Sequence, residues 1–401
     1  MRSVFVCAYL FSSLFIVAMP AGAATPLAAA FEQAWQRQPA AAALGERQRA
    51  VAARRQAADA LTAAPPTLEL GARSDRFNRN QGGRELEAGV ALPLWLPDER
   101  SGAQAVADAD LSALAGRVAG QRLALAREIR DLWWAWQAAR NEQGLAGERE
   151  AAARRLRDDV ARRFQAGDLS RADLNQAEGL AAQARALQAE ATAAEALARY
   201  RLESLSGPVT VAEGVGEPLP PAAAPEHPRL RELQGLAELA RRQAGLARVQ
   251  SRSNPELAIS TRYDRAAAGL ENEQTWALAL RIPFGGGPRH DARMAVANAE
   301  ALEADATLQL EQARLVREAE ALRSQFAAAA TQVEAAELRA RLARENRGFY
   351  DKSFRLGESD LPTRLRIEAE AFEAERALGA ARIGRERSLS LLRQALGLLP
   401  E

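Results

Sequence analysis

Between residues 67 and 94 the chain alternates. Leu68, Leu70 and Ala72 interleave with Glu69, Gly71 and Arg73. After the polar stretch Asn78-Arg79-Asn80-Gln81-Gly82-Gly83, Leu86, Ala88, Val90, Leu92 and Leu94 interleave with Glu85, Glu87, Gly89 and Ala91. A period of two with one oily face and one polar face predicts a β-hairpin. The plan returns further on: Leu257, Ile259, Thr261 and Tyr263 alternate with Ala258, Ser260, Arg262 and Asp264, and then Trp276, Leu278, Leu280 and Ile282 with Ala277, Ala279 and Arg281.

Around these hairpins the period changes to that of a helix. Glu99 to Phe164 contains no proline, and Ile129, Leu132, Trp133 and Trp136, then Leu156, Val160 and Phe164, step by three or four. At 1.5 Å per residue this predicts a helix of roughly 100 Å. A second runs from Arg289 to Phe354. Helices are also expected over Pro39 to Ala63 and Pro228 to Arg252, each opening on a proline that suits the first turn and stopped by Pro65-Pro66 or Asn254-Pro255. Two more are expected over Ser170 to Ser206 and Asp360 to Leu396.

The order repeats because the chain is written twice. Phe164-Gln165-Ala166-Gly167-Asp168-Leu169-Ser170 returns as Phe354-Arg355-Leu356-Gly357-Glu358-Ser359-Asp360, and Pro39, Pro66 and Pro93 return as Pro228, Pro255 and Pro283. Each copy is one structural unit: residues 25–206, a Pro/Gly/Ala-rich linker 207–226, and residues 227–401. Gly167 and Gly357 suit the left-handed residue that closes a helix. Ser170 or Asp168, and Ser359 or Asp360, can cap the next one, so each copy ends in a tight helical hairpin. Ser170–Ser206 and Pro228–Arg252 together match the long helix in length, about 93 Å. This predicts that they stack end to end, with the linker as a belt at mid-height and the C-terminal helix under the one that begins at Pro39.

A sheet with one oily face normally packs on a soluble core, yet the neighbouring helices offer no face to cover this one. Apolar-out, polar-in strands of about ten residues, with Phe77, Trp95, Tyr263 and Phe284 near the strand ends, are the pattern of an outer-membrane barrel. Four strands cannot close a barrel, since the smallest need about eight. Several chains must pool their strands. The interior would then carry Glu69, Arg73, Glu85, Glu87, Arg262 and Arg281, a mixed set suited to a wide aqueous lumen rather than a selective filter.

Composition supports export. Arg2, the apolar run Val4 to Val17 and Ala21-Gly22-Ala23-Ala24 read as a secretory signal over residues 1–24. Cys7, the single cysteine, lies inside it without the context of a lipidation site, so disulfides and thiol chemistry are not expected. His227 and His290 are too few and too far apart for a metal site. A net charge of +1 leaves no global basic patch for nucleic acid. Trp133, Trp134 and Trp136, at helical spacing, read as interhelical packing rather than a ligand platform.

The tandem Phe164-x-x-Gly167-Asp168 and Phe354-x-x-Gly357-Glu358 turns, the Pro39 and Pro228 helix starts and the Leu92-Pro93-Leu94 and Ile282-Pro283-Phe284 strand exits together resemble the outer-membrane efflux protein family, the TolC-like channels, over essentially the whole exported chain. The segment from Ser353 to Thr363 is similar to the CzcC-like branch associated with heavy-metal efflux. The resemblance implies a mainly α fold with a small β part, and a homotrimer that makes a twelve-stranded barrel in the outer membrane above a twelve-helix periplasmic tunnel. It implies no catalysis, cofactor or nucleotide. The hairpin tips, at Phe164, Gly167, Asp168, Phe354, Leu356, Gly357, Glu358 and Asp360, would meet a periplasmic adaptor leading to an inner-membrane pump and would open like an iris.

The chain departs from some members at the entrance, where aspartates six and nine residues beyond the second tip glycine are replaced by Thr363 and Arg366. Drug efflux and type I protein secretion use the same architecture. A periplasmic adaptor is disfavoured because two hairpins occur with strands only beside them. A structural coiled coil is disfavoured by the alternating strands.

Overall fold

The computed structural model describes residues 25–78, 80–209, 216–221, 226–285 and 287–401. The expected export signal lies outside the described residues, as do Arg79 of the first loop and positions 210–215 and 222–225 of the linker. The elements run α1 (Pro26–Arg37), α2 (Pro39–Ala42), α3 (Leu44–Asp59), β1 (Thr67–Ser74), β2 (Arg84–Pro93), α4 (Glu99–Ala166) and α5 (Arg171–Ser206). After the linker come α6 (Pro228–Val249), β3 (Glu256–Arg265), β4 (Glu273–Arg281), α7 (Gly287–Arg355) and α8 (Leu361–Ala395).

The long helices fall where the periodicity places them, at 68 residues for α4 and 69 for α7. The start of the chain differs from expectation. The helix expected from Pro39 to Ala63 is broken at Ala43 and ends at Asp59, and a further helix, α1, precedes it. Thr25 caps α1, and its side chain accepts from the Ala28 N–H at 3.2 Å. Gln38 then turns extended, as the residue before a proline must. The amphipathic α1 buries Leu27, Phe31 and Ala34 against Leu125, Ala126 and Ile129 of α4.

The strands form one antiparallel sheet in the order β1-β2-β3-β4, and the register aligns the two faces across all four. One face carries Leu68, Val90, Ile259 and Leu278 in a row, followed by Leu70, Ala88, Thr261 and Trp276. The other carries Glu69, Gly89, Ser260 and Ala277, then Gly71, Glu87, Arg262 and Thr275. The apolar face is the open one: Leu70 is 74% exposed and Leu278 72%, whereas Ala91 on the polar face is buried. On β2 the polar-face positions are the covered ones, whereas β1 and β4 are exposed on both faces. A Cβ on Gly89 would lie 2.8 Å from the Ser260 Cβ, so that position must stay small for β2 and β3 to pair this closely.

Below the sheet the helices form two tiers. In the upper tier α4 is flanked by α3, through Arg54–Asp110 at 2.6 Å and Arg55–Asp108 at 2.8 Å, and by α6, against which its backbone packs closely. A Cβ on Gly116 would come within 2.8 Å of the Arg231 carbonyl, and one on Gly235 within 2.9 Å of the Ala113 Cα. Small residues thus let two backbones touch. Next to α6 lies α7, joined by Arg241–Asp305 at 3.2 Å. In the lower tier α5 packs on one side of α4 and α8 lies between α4 and α7, held by Arg376–Glu142 at 3.0 Å on one side and Arg382–Glu337 at 2.9 Å on the other.

This arrangement corrects the expected stacking. The C-terminal end of α8 meets the start of α6: a Cβ on Gly397 would lie 2.6 Å from Pro228 Cδ. The end of α5 meets α1, with Leu202 in the same core as Phe31 and with Gly207 against the Arg37 guanidinium. So α8 stands beneath α6 and α5 beneath α1–α3, each within its own repeat. Summed lengths could not separate the two pairings, because α5 and α8 are nearly equal at 36 and 35 residues.

The largest core sits at mid-height, where the tiers join. Trp133 and Trp136 pack edge to face at 5.4 Å between ring centres, Trp134 Nε1 donates to Ser390 Oγ at 2.8 Å and Trp136 Nε1 to Glu195 Oε1 at 2.8 Å. The tryptophans are packing residues, as their spacing predicts. The described part of the linker is non-helical there and is pinned by a buried carboxylate. Glu217 accepts from Arg130 at 2.6 and 2.9 Å and lies 3.3 Å from Arg393. Removing one member of such a buried group costs about 3–5 kcal/mol, because its partners stay buried and unpaired.

Candidate functional site

Two regions carry the features that the sequence singles out: the hairpin tips at one end and the polar face of the sheet at the other. At the first tip, Gly167 takes φ 85°, and its N–H and that of Asp168 donate to Phe164 and Arg163 carbonyls at 3.1 and 2.9 Å. At the second, Gly357 takes φ 78°, and its N–H and that of Glu358 donate to Phe354 and Ser353 carbonyls at 3.2 and 3.0 Å. Both are left-handed helix terminations. The next helices are capped by Ser170, in a reciprocal box with Asp173, and by Asp360, which accepts from the Thr363 N–H at 3.1 Å. Hydrogen bonds from Thr363, first its side chain and then its backbone, hold the Asp360 carboxyl below the usual carboxylate range.

The two tips lie side by side around one small core of Leu156, Val160, Leu174, Ala177, Phe354 and Leu361, with Phe164 and Leu169 against it. Phe354 is only 2% exposed. It is clasped by the Arg163 and Arg364 guanidiniums, 4.9 and 4.8 Å from the ring centre, and its carbonyl accepts from Arg163 at 3.2 Å. Phe354, expected among the residues that meet an adaptor, is therefore an internal strut: the two hairpins need a shared apolar centre, and this ring supplies it. Phe164 is half-buried beneath Arg171. Gly167, Asp168, Leu356, Gly357, Glu358 and Asp360 remain exposed.

Sequence reasoning missed the clamp of Arg163, Arg364 and Asp351, in which Arg364 pairs with Asp351 at 2.6 Å. The clue available was the arginine one residue before the first tip phenylalanine and ten after the second. Of the two entrance positions that depart from the resemblance, Thr363 belongs to the cap of α8, and Arg366 lies exposed and paired with Glu370 at 2.5 Å.

At the other end the register gathers Glu69, Arg73, Glu85, Glu87, Arg262 and Arg281 on one face. Arg262 reaches Glu85 at 3.1 Å and Glu87 at 3.6 Å, Arg73 reaches Glu85 at 3.2 Å, and Arg281 reaches Glu256 at 2.9 Å. Glu256, Asp264 and Glu273 share this face by the same alternation and belong to the set, which the period of two could have supplied. Among the described residues no helix is long and apolar enough to cross a membrane.

No protein-family model matches the chain, and no curated protein matches it. Solved structures do. The outer membrane protein VceC from Vibrio cholerae superposes with a TM-score of 0.72 over 94% of this chain and 97% of that one, at 17% identity. The CmeC outer membrane channel of Campylobacter jejuni gives 0.74 over 93% and 86%, at 12% identity. The open state of the MtrE outer membrane channel of Neisseria gonorrhoeae gives 0.65 over 93% and 89%, at 16% identity.

The chain thus has the TolC-like outer-membrane channel fold, a set of long helical hairpins bearing a four-stranded sheet. At these identities the likeness is one of fold.

Proposed function

We propose that the chain is one wall of a passive outer-membrane efflux duct, completed by two further copies of itself. The observation that carries this reading is the sheet: four strands with both edges, β1 and β4, unpaired, an exposed apolar outer face, and helices of about 100 Å beneath. Three copies pair β4 of one with β1 of the next, antiparallel throughout, and close a twelve-stranded barrel with lipid outside and water inside. The α3/α5 flank of one copy packs on the α7 flank of its neighbour and continues the bore through the periplasm. The exposed tip residues, led by Leu356 at 65% exposure, Asp168 and Glu358, dock a periplasmic adaptor that joins the duct to an inner-membrane pump. Protein extracted by detergent from the outer-membrane fraction should run as a trimer; a soluble periplasmic monomer would sink the reading.

The cargo follows from the resemblance of the 353–363 segment to the heavy-metal branch, and we assign divalent cations of the cobalt, zinc and cadmium kind. Deleting the gene should sensitise the cell to those ions. Unchanged metal resistance with new sensitivity to dyes would assign the duct to drug efflux, and loss of a secreted protein would assign it to secretion.

A further inference from the structure

We propose that neighbouring copies join in one register, with Glu69 on the β1 edge of one copy directly opposite Arg281 on the β4 edge of the next. The inference rests on the duct reading, in which three such sheets close a ring, and it fixes which residues meet at the seam.

The backbone decides which side chains can face each other there. The Asp75 N–H donates to the Gly83 carbonyl, which continues the β1–β2 ladder, and the Leu94 N–H donates to the Pro255 carbonyl, which continues β2–β3. In an antiparallel strand alternate residues turn their N–H and C=O to opposite sides. Polar-face residues of β1 therefore direct their backbone groups to β2, and Leu68, Leu70, Ala72 and Ser74 offer theirs at the free edge. By the same alternation Gln274, Trp276, Leu278 and Leu280 offer theirs on β4. These residues bond one another across the seam. The polar-face residues between them form the non-hydrogen-bonded pairs, whose Cα atoms lie only about 4.5 Å apart.

The lean of the strands then sets the register. β1 rises away from the helices, and in an L-chain seen from outside the ring its outward residues turn their backbone groups to the right, so β2, β3 and β4 follow to the left. The right-handed twist makes the strands of a closed barrel rise to the right, so a row of partners climbs to the left. The row Glu69, Gly89, Ser260, Ala277 thus meets the next β1 above Glu69. Threefold closure and the match of faces allow a climb of two, four or six residues per chain, for strand tilts of about 20°, 35° or 47° at about 3.4 Å per residue and about 4.8 Å between strands. Barrels use about 35–45°, which selects four. Ala277 then stands opposite Arg73, Ala279 opposite Gly71 and Arg281 opposite Glu69.

Charge selects the same register independently. Among the described residues Glu69 pairs with no cation of its own chain. Arg281 holds Glu256 through one guanidinium nitrogen, Nη1, at 2.9 Å, and the rest of its fork is open to the seam. A climb of two sets Glu69 against Ala279 and a climb of six sets it against Pro283; only four gives it the guanidinium.

The test is cross-linking of the full-length protein in a Cys7→Ser background, purified from outer membranes and oxidised in air. Gly71→Cys with Ala279→Cys should link most chains into a covalent trimer; a Cβ at Gly71 meets only ordinary contact, with the Glu87 Cβ at 3.6 Å. Gly71→Cys with Ala277→Cys, or with Arg281→Cys, should link little, since those diagonal neighbours lie about 7–8 Å away, beyond the reach of a disulfide. Adding Glu69→Arg to Gly71→Cys with Ala279→Cys should lower the covalent trimer about twofold, because like charges then face each other at the seam. Strongest linking by another pair, a trimer that none of the three pairs links, or a yield that Glu69→Arg leaves unchanged overturns the inference and leaves the duct standing. A chain that runs as a monomer in every variant and in the unsubstituted protein overturns the duct reading, and this inference with it.

Discussion

Gly357 is a position where backbone, not space, dictates the residue. It takes φ 78°, and nothing lies within 4 Å of where a Cβ would be. A side chain there fits but must hold a left-handed conformation that costs an L-residue about 1–2 kcal/mol. Gly357→Ala should therefore lower thermal stability of the tip by about that amount, and Gly357→Asn should recover much of it, since asparagine tolerates this region best. Equal losses in limited-proteolysis protection for both variants would mean that Gly357 is needed for room after all.

His227 obeys a different rule. Its Nδ1 accepts from the Arg229 N–H at 3.2 Å and so caps α6, which requires an unprotonated Nδ1. Its pKa is lowered, by burial first, against an opposing pull from Glu311 and Glu318 on α7; Glu232 of α6 and Arg314 of α7 line the same cavity. A group whose folded pKa lies below its unfolded value of about 6.5 stabilises the fold above that value and loses this contribution as pH falls through the folded pKa. His227→Asn keeps an acceptor at the cap and does not titrate. Melting curves at pH 7.5 and 5 should therefore show a smaller acid loss for His227→Asn than for the wild type. Identical losses would remove His227 from the acid response.

At the scale of elements, the decisive feature is how closely α4 and α6 approach. Gly116, Gly120 and Gly235 lie at their contact, and a Cβ on Gly235 would press on the Ala113 backbone. Gly235→Leu should thus force the pair apart and cost about 1–3 kcal/mol, whereas Gly245→Leu on the same helix, with open space around it, should be tolerated. Because leucine is the better helix former, a comparable loss of melting temperature in both would show that the close approach at Gly235 does not decide.

The same features mark the limit of what the sequence discloses. Strand faces, long helices and tips were legible because each is a local period or a repeated turn: Leu68-Glu69-Leu70 states its own alternation. The stacking of α8 under α6 was not, because Gly397 against Pro228 is a contact between residues 169 positions apart, carried by no pattern in either. The burial of Phe354 escapes the sequence for a related reason. A phenylalanine in a turn motif has no period to reveal whether it points out, and only the second hairpin beside it closes the core.

At the scale of the whole molecule, one chain cannot satisfy its own surface. The sheet leaves two edges open and an apolar face bare, and the sense of that face fixes what the assembled object is. If oily side chains face lipid and polar ones face water, adjacent residues of β4 should respond in opposite ways to the same charge. Leu278 is 72% exposed on the apolar face, and Ala277 follows the inward alternation. An arginine facing lipid near mid-membrane costs about 2–4 kcal/mol, and a threefold assembly meets that cost once per chain. Leu278→Arg should therefore abolish most of the trimer that the duct reading expects in outer-membrane extracts. Ala277→Arg, in Glu69's row of a water-filled bore, should still assemble and shift ion selectivity toward chloride. Should Ala277→Arg prevent assembly while Leu278→Arg is tolerated, the faces are reversed, and the sheet is a cover for a soluble core instead of the wall of a duct.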